Sequence, residues 1–151
     1  METKSSNTSE RLKGKVAIVT GAGNGVGKAC ALSLAAQGAL VVVNDLGTSA
    51  AGEGKSSAAA DATVAEIIAA GGQAVANYDS VADAQGCANL VATAEKAFGS
   101  VDIVLAIAGA VMSGQIDITD EQYYKLMDLF LGQKFWLSRL TVPGMVKRGY
   151  G

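Results

Sequence analysis

Histidine is absent from this chain of 151 residues. That removes the side chain most used as a general base near neutral pH and the commonest zinc ligand, so a hydrolase triad or a metal centre would need unusual parts. Proline occurs once, at Pro143, and cysteine twice, at Cys30 and Cys87. Both cysteines lie in alanine-rich, helical-looking runs without paired spacing, which predicts free, buried thiols in a reducing compartment rather than a disulfide. Charged residues make up only 17% of the chain, the net charge is −2, and the basic residues are scattered. Neither a nucleic acid nor a membrane surface is therefore an expected partner. No apolar run approaches the roughly 20 residues that cross a bilayer. The polar start METKSSNTSERLKGK lacks the apolar segment of a secretory leader. The expectation is a soluble, cytoplasmic protein with a disordered lead-in over residues 1–11 and one domain over residues 12–151.

Apolar residues are plentiful, at 50% of the chain, which is enough for a real core. They fall into four units of the same order: an apolar β-branched run, a glycine-marked turn, and an alanine-rich segment. The predicted strands are Lys15–Thr20, Ala39–Asp45, Gln73–Tyr78 and Val101–Ala110. The predicted helices run from about Gly25 to Gln37, from a cap at Ser57 to Ala70, from about Val81 to Phe98, and from a capping box at Thr119–Gln122 into a long last helix that Pro143 is expected to kink. The segment LGTSAAGEGKSS between the second strand and its helix has loop chemistry. The strands are continuous apolar runs rather than alternating ones, so both sheet faces should be covered. Strand and helix in alternation give a parallel sheet with right-handed crossovers, an α/β doubly wound fold of the Rossmann type with about four βα units.

The stretch VTGAGNGVGKA, Val19 to Ala29, puts glycine at positions 21, 23, 25 and 27, between the first strand and its helix. In such a sheet this turn lies beside the switch point where ligands bind. The first N–H groups of the helix are unpaired and carry the positive end of its dipole, so a diphosphate fits there if no side chain keeps it away. A P-loop needs G-x-x-x-x-G-K-[ST], but Ala22 stands at its first glycine and Ala29 at its hydroxyl. G-x-G-x-x-G fails at Val26. T-G-x-x-x-G-x-G fits from Thr20 to Gly27. Asp45 stands 18 residues beyond Gly27, at the carboxyl end of ALVVVND, where a dinucleotide site needs an acid for the adenosine ribose. A carboxylate there repels a 2′-phosphate and no arginine lies in either turn, so NAD is expected over NADP. Lys28, the one local cation, is expected to face helix side chains. Taken alone, Asp45 also reads as a turn-former before Gly47.

These residues resemble the short-chain dehydrogenase/reductase family. TGAGNGVG matches its coenzyme motif, FGSVDIVLAIAG is similar to its F-G-x-I-D-x-L-V-N-N-A-G segment, and LMDLFLGQKFWLSRLTVPGM aligns with its fourth-helix region. VVVNDLG and GGQAVANYDSV look more narrowly like the hydroxyacyl-CoA dehydrogenase part of peroxisomal multifunctional enzymes and their bacterial relatives. The resemblance implies that Gly21, Asn24, Gly25, Val26 and Gly27 line the pyrophosphate and nicotinamide side of NAD. It implies that Asp45 binds the adenosine ribose, that Asp79 and Ser80 sit at the adenine, and that Ala108 and Gly109 pass under the second ribose. Asp79 also reads as a helix N-cap before Val81.

Three departures from the family pattern stand out. N-N-A-G appears as Ala106-Ile107-Ala108-Gly109, without either amide side chain. The helix asparagine of the family's catalytic site falls at Phe130. The family's fifth strand with its catalytic serine, and the Y-x-x-x-K that follows, would come after Gly151, so no catalytic residue is assigned within the chain. The resemblance therefore implies an oxidoreductase moving hydride between NAD and a secondary alcohol or ketone, seen as its C-terminally incomplete coenzyme-binding part and inactive alone. A non-catalytic nucleotide-binding or assembly module is the alternative. Pairing of like chains is expected through the Thr119–Lys147 helix, and the fourth strand is expected to form an uncovered apolar edge.

Overall fold

The computed structural model describes residues 10–48, 54, 56–110 and 117–151. Most of the expected lead-in and part of the loop after Asp45 lie outside the described residues. Four parallel strands, β1 (Val16–Thr20), β2 (Leu40–Asn44), β3 (Gln73–Asn77) and β4 (Ile103–Ala106), stand in the order β3-β2-β1-β4. The helices α1 (Gly25–Ala36), α2 (Ala58–Ala69) and α3 (Ala84–Phe98) connect them. After β4 come α4 (Asp120–Met127), a π turn (Asp128–Gly132) and α5 (Gln133–Arg148). The parallel, doubly wound arrangement expected from the apolar runs is the one observed.

Alternation along the two central strands sorts the core into two layers. Val16 and Ile18 of β1 and Val42 of β2 face α3 and α5, where Cys87, Leu90 and Leu137 pack on them. Ala17 and Val19 of β1 and Val41 and Val43 of β2 face α1 and α2, meeting Ala31, Ala60 and Ile67. Burial of a valine or leucine side chain contributes about 1.5–3 kcal/mol, so β1 and β2, closed on both faces, are the main source of cohesion. Small residues on α1, with Gly27 and Ala31 buried, let that helix lie close on the first strand.

Local ends differ from expectation where long-range partners decide them. β4 covers four residues of the ten-residue apolar run, because its pairing with β1 ends at Thr20↔Ala106. At its start, the Asp102 N–H donates to Val16 O while the Asp102 carboxylate accepts from Val16 N, tying the two strands before the ladder begins. Among the described residues β4 pairs on one side only, with β1, and its side chains are half-buried. α3 starts at Ala84 rather than near Val81: Asp83, not Asp79, is its N-cap, accepting from Gly86 N at 2.8 Å, and Val81 is in the core. Ser57 holds the cap position of α2 but makes no side-chain cap bond, because its hydroxyl and the Tyr78 phenol both bond Asp61. The Thr119–Gln122 capping box forms as expected. The expected single long helix is instead two helices around the π turn, and α5 carries Pro143 within it and runs on to Arg148.

Candidate functional site

The carboxyl ends of the four strands open into a cleft of about 890 Å³, closed on one side by α4. Nine of the ten residues singled out from the sequence line it: Gly21, Asn24, Val26, Gly27, Asp45, Asp79, Ser80, Ala108 and Gly109. Gly25 is not among the lining residues. It sits within the same turn at φ +52°, and a Cβ there would meet open space.

The glycine turn leaves no room for a side chain at Gly21 or Gly27. A Cβ on Gly27 would come within 2.1 Å of Gly21 O, and one on Gly21, at φ +64°, within 2.8 Å of Ala108 Cα. The turn is therefore packed from below by its own backbone and sideways by the end of β4. Asn24 precedes α1 in an extended conformation and makes no side-chain cap bond, and the first turn of α1 carries no acidic residue. The leading N–H groups of α1 thus face the cleft without a protein carboxylate to neutralise them, which is the electrostatic requirement of an anion site. Lys28 is turned away, as expected, its ammonium 2.7 Å from Glu66 on α2.

Asp45 does two things. Its Oδ2 accepts from Gly23 N and its Oδ1 from Gly47 N, both at 2.7 Å, so the carboxylate clamps the glycine turn to the loop after β2. Each oxygen keeps a second lone pair, and the residue lines the cleft. The turn-forming reading and the ligand-facing reading of Asp45 are therefore compatible.

Asp79 ends a polar ladder across the sheet. Asn44 Nδ2 donates to Asn77 Oδ1 at 2.8 Å and to Asp79 O at 2.9 Å. Asn77 Nδ2 donates to Asp79 Oδ2 at 2.8 Å, and Asn89 Nδ2, from α3, to Asp79 Oδ1 at 3.0 Å. Ser80 Oγ accepts from Ala82 N at 3.2 Å, fixing the turn into α3.

Other lining residues were not anticipated: Leu46, Thr48, Ile107 and Ala110 from loops, and Gln122, Lys125 and Leu129 from the α4 region. Gln122 was legible only as half of a capping box. Phe130, in the π turn, lays its ring on Gly109: a Cβ there would fall 2.7 Å from Phe130 Cε1. Behind this wall the fully buried Gln133 bonds Thr20 and Ala108. It brings a side-chain amide to a strand end whose own amides, at positions 106 and 107, are missing.

Known proteins share this architecture. Peroxisomal multifunctional enzyme type 2 of Drosophila melanogaster is 46% identical over 148 residues, which is 97% of this chain and 24% of that protein. A 7α-hydroxysteroid dehydrogenase solved with NADH and 7-oxo glycochenodeoxycholic acid superposes with a TM-score of 0.83 at 34% identity, over 99% of this chain and 54% of that one. A metagenomic short-chain oxidoreductase solved with NADP superposes with a TM-score of 0.83 at 27% identity, over 93% of this chain and 61% of that one. The chain thus spans a quarter to three-fifths of the length of these relatives. The sequence profile of the family described as short chain dehydrogenase matches residues 15–151. The chain belongs to the short-chain dehydrogenase family.

Proposed function

We propose that the cleft binds NAD, with its diphosphate on the glycine turn, its adenosine ribose at Asp45, its adenine beside Asp79 and Ser80, and its nicotinamide ribose against Ala108 and Gly109. The observation that carries the reading is the Gly21–Gly27 turn, with no room for a side chain at Gly21 or Gly27, clamped to a carboxylate that also lines the cleft. NAD is preferred over NADP because Asp45 presents negative charge where a 2′-phosphate would sit, and Lys28 is paired with Glu66. One solved relative carries NADH and another NADP, so titration with both nucleotides is the direct test. NAD binding at least about a hundredfold tighter than NADP is expected, from about 3 kcal/mol between unit charges ~5 Å apart at an effective dielectric near 20. Equal affinities would overturn the preference, and no binding of either would overturn the site.

As part of a complete dehydrogenase, the domain would serve hydride exchange between NAD and a secondary alcohol or ketone. NAD would supply the hydride acceptor, and the residues described here would orient it, with Leu129 lining the cleft beside them. No described residue is assigned the proton transfer, and the chain by itself is expected to show no turnover with a panel of secondary alcohols. The alternative, a nucleotide-binding module without hydride chemistry, draws support from Phe130, an aromatic group without polar atoms laid over Gly109. Turnover by the complete protein decides between the two. Free thiols at Cys30 and Cys87 suit a reducing interior, whether the cytoplasm or an organelle such as the one named for the fly relative. Pairing of like chains through α4, the π turn and α5, where Leu131, Phe135 and Val146 are exposed, belongs to the same proposal and is tested by light scattering.

A further inference from the structure

We infer that Gln133 is the positioning residue for the nicotinamide end of the cleft. Resting on the NAD reading above, the inference assigns to one buried side chain the task of holding the Ala108 peptide in place.

Hydrogen counting fixes the network. Thr20 Oγ1 accepts from Ile107 N and from Ala108 N, both at 3.0 Å, which uses its two lone pairs. Its single hydrogen must go elsewhere, and Gln133 Oε1 lies 3.0 Å away. Gln133 Nε2 then donates one hydrogen to Ala108 O at 2.7 Å and the other to Leu129 O. Exchanging O and N in the amide would aim two hydrogens at a filled hydroxyl and an oxygen at two carbonyls, so only one orientation works. Every polar atom of Gln133 and of the Thr20 hydroxyl is used, in a site where both residues are 0% exposed.

The consequence reaches the cleft through Ala108. Its N–H is held by Thr20 and its C=O by Gln133, while its Cα lies where a Cβ on Gly21 would collide. The peptide that joins Ala108 to Gly109 is thereby set between the glycine turn and α5, and both residues line the cleft. The π turn contributes: the N–H groups closing it reach Asp128 O and Leu131 O, and the Leu129 carbonyl accepts from the Gln133 side chain. The extra residue of a π turn shifts the helix face, which here brings position 133 under the end of β4. A glutamine serves because a buried amide carries donors and an acceptor without charge, whereas a carboxylate would face two carbonyl oxygens.

The test compares nucleotides of different length on the full chain. Calorimetric titration of Gln133→Met, which keeps bulk and removes the polar atoms, is expected to weaken NAD by about tenfold. ADP, which lacks the nicotinamide half, should keep its affinity. Gln133→Asn, one methylene shorter, reaches only one side of the network and should fall between; it also serves if the methionine variant does not fold. Equal loss of NAD and ADP, or loss of neither, would overturn the positioning role. Failure of the unmodified chain to bind either nucleotide would instead sink the NAD reading. Amide exchange at Ile107 and Ala108 in the nucleotide-free protein would still report whether Gln133→Met loosens that peptide, and unchanged exchange would overturn the inference on its own.

Discussion

Replacing Asp45 with asparagine separates the two tasks of this side chain. Its two oxygens accept from Gly23 N and Gly47 N at 2.7 Å. Asparagine has one oxygen, so one of these N–H groups would face an amide NH₂ and lose its partner. A hydrogen bond to a charged acceptor contributes about 1.5–3 kcal/mol, and the half-buried position argues for the lower end of that range. In a domain of this size each kcal/mol moves the melting midpoint by about 2–4 °C. Asp45→Asn should therefore melt about 3–6 °C lower. The second effect is on selectivity: with the charge gone, the roughly hundredfold preference for NAD should shrink at least about tenfold, mainly by a gain in NADP affinity. Differential scanning calorimetry and paired titrations with NAD and NADP read the two effects independently. A lowered midpoint with an unchanged NAD-to-NADP ratio would show that Asp45 is a clamp only. An unchanged midpoint would refute the clamp itself.

Two glycines of one turn should respond differently to the same change. Gly27→Ala forces a Cβ to 2.1 Å from Gly21 O and should abolish NAD binding with a large loss of stability. Gly25→Ala meets open space at φ +52° and should cost only about 1–2 kcal/mol of backbone strain, the fold being retained by circular dichroism. Burial pushes the Cys87 thiol up to about 11, with the nearby Asp83 carboxylate adding to the rise. Native Cys87 should therefore resist alkylation at pH 8 while the half-buried Cys30 reacts, as mass spectrometry of the labelled chain would show. Because the folded thiol holds its proton longer than the unfolded one, its contribution to stability is intact below about pH 9 and is lost as pH rises toward 11.

The strands were legible because continuous β-branched runs such as LVVVN have little use except between two covered faces. Their ends were not, since the pairing register sets them: the apolar run through Ala110 stops being a strand where Thr20 replaces ladder carbonyls with its hydroxyl. The start of α3 differs from the expected Val81 for a similar reason. Asp79 and Asp83 are equally suited by type, and what separates them is that Asn77 and Asn89 occupy the Asp79 carboxylate. The glycine turn and Asp45, which line the cleft, were legible in the sequence because their chemistry is local and their spacing is short. Gln133 was invisible: a glutamine in a helix reads as surface until the strand it faces is known.

The two ends of the cleft are held by different means, and this explains the uneven legibility. At the Asp79 end the ladder Asn44–Asn77–Asp79–Asn89 leaves a visible trail of polar residues at strand ends. At the other end the wall is main chain: Gly21 yields space, and the Ala108 and Gly109 side chains are small or absent. A wall of backbone carries little information in the residues that form it, so the information moves to whatever holds the backbone still. Thr20 and Gln133 are those residues, one on the first strand and one 113 positions later on the last helix. Changing the visible wall from Ala108 to serine should therefore disturb nucleotide binding less than changing the hidden Gln133 to methionine, and parallel NAD titrations of the two variants would show whether the order is reversed.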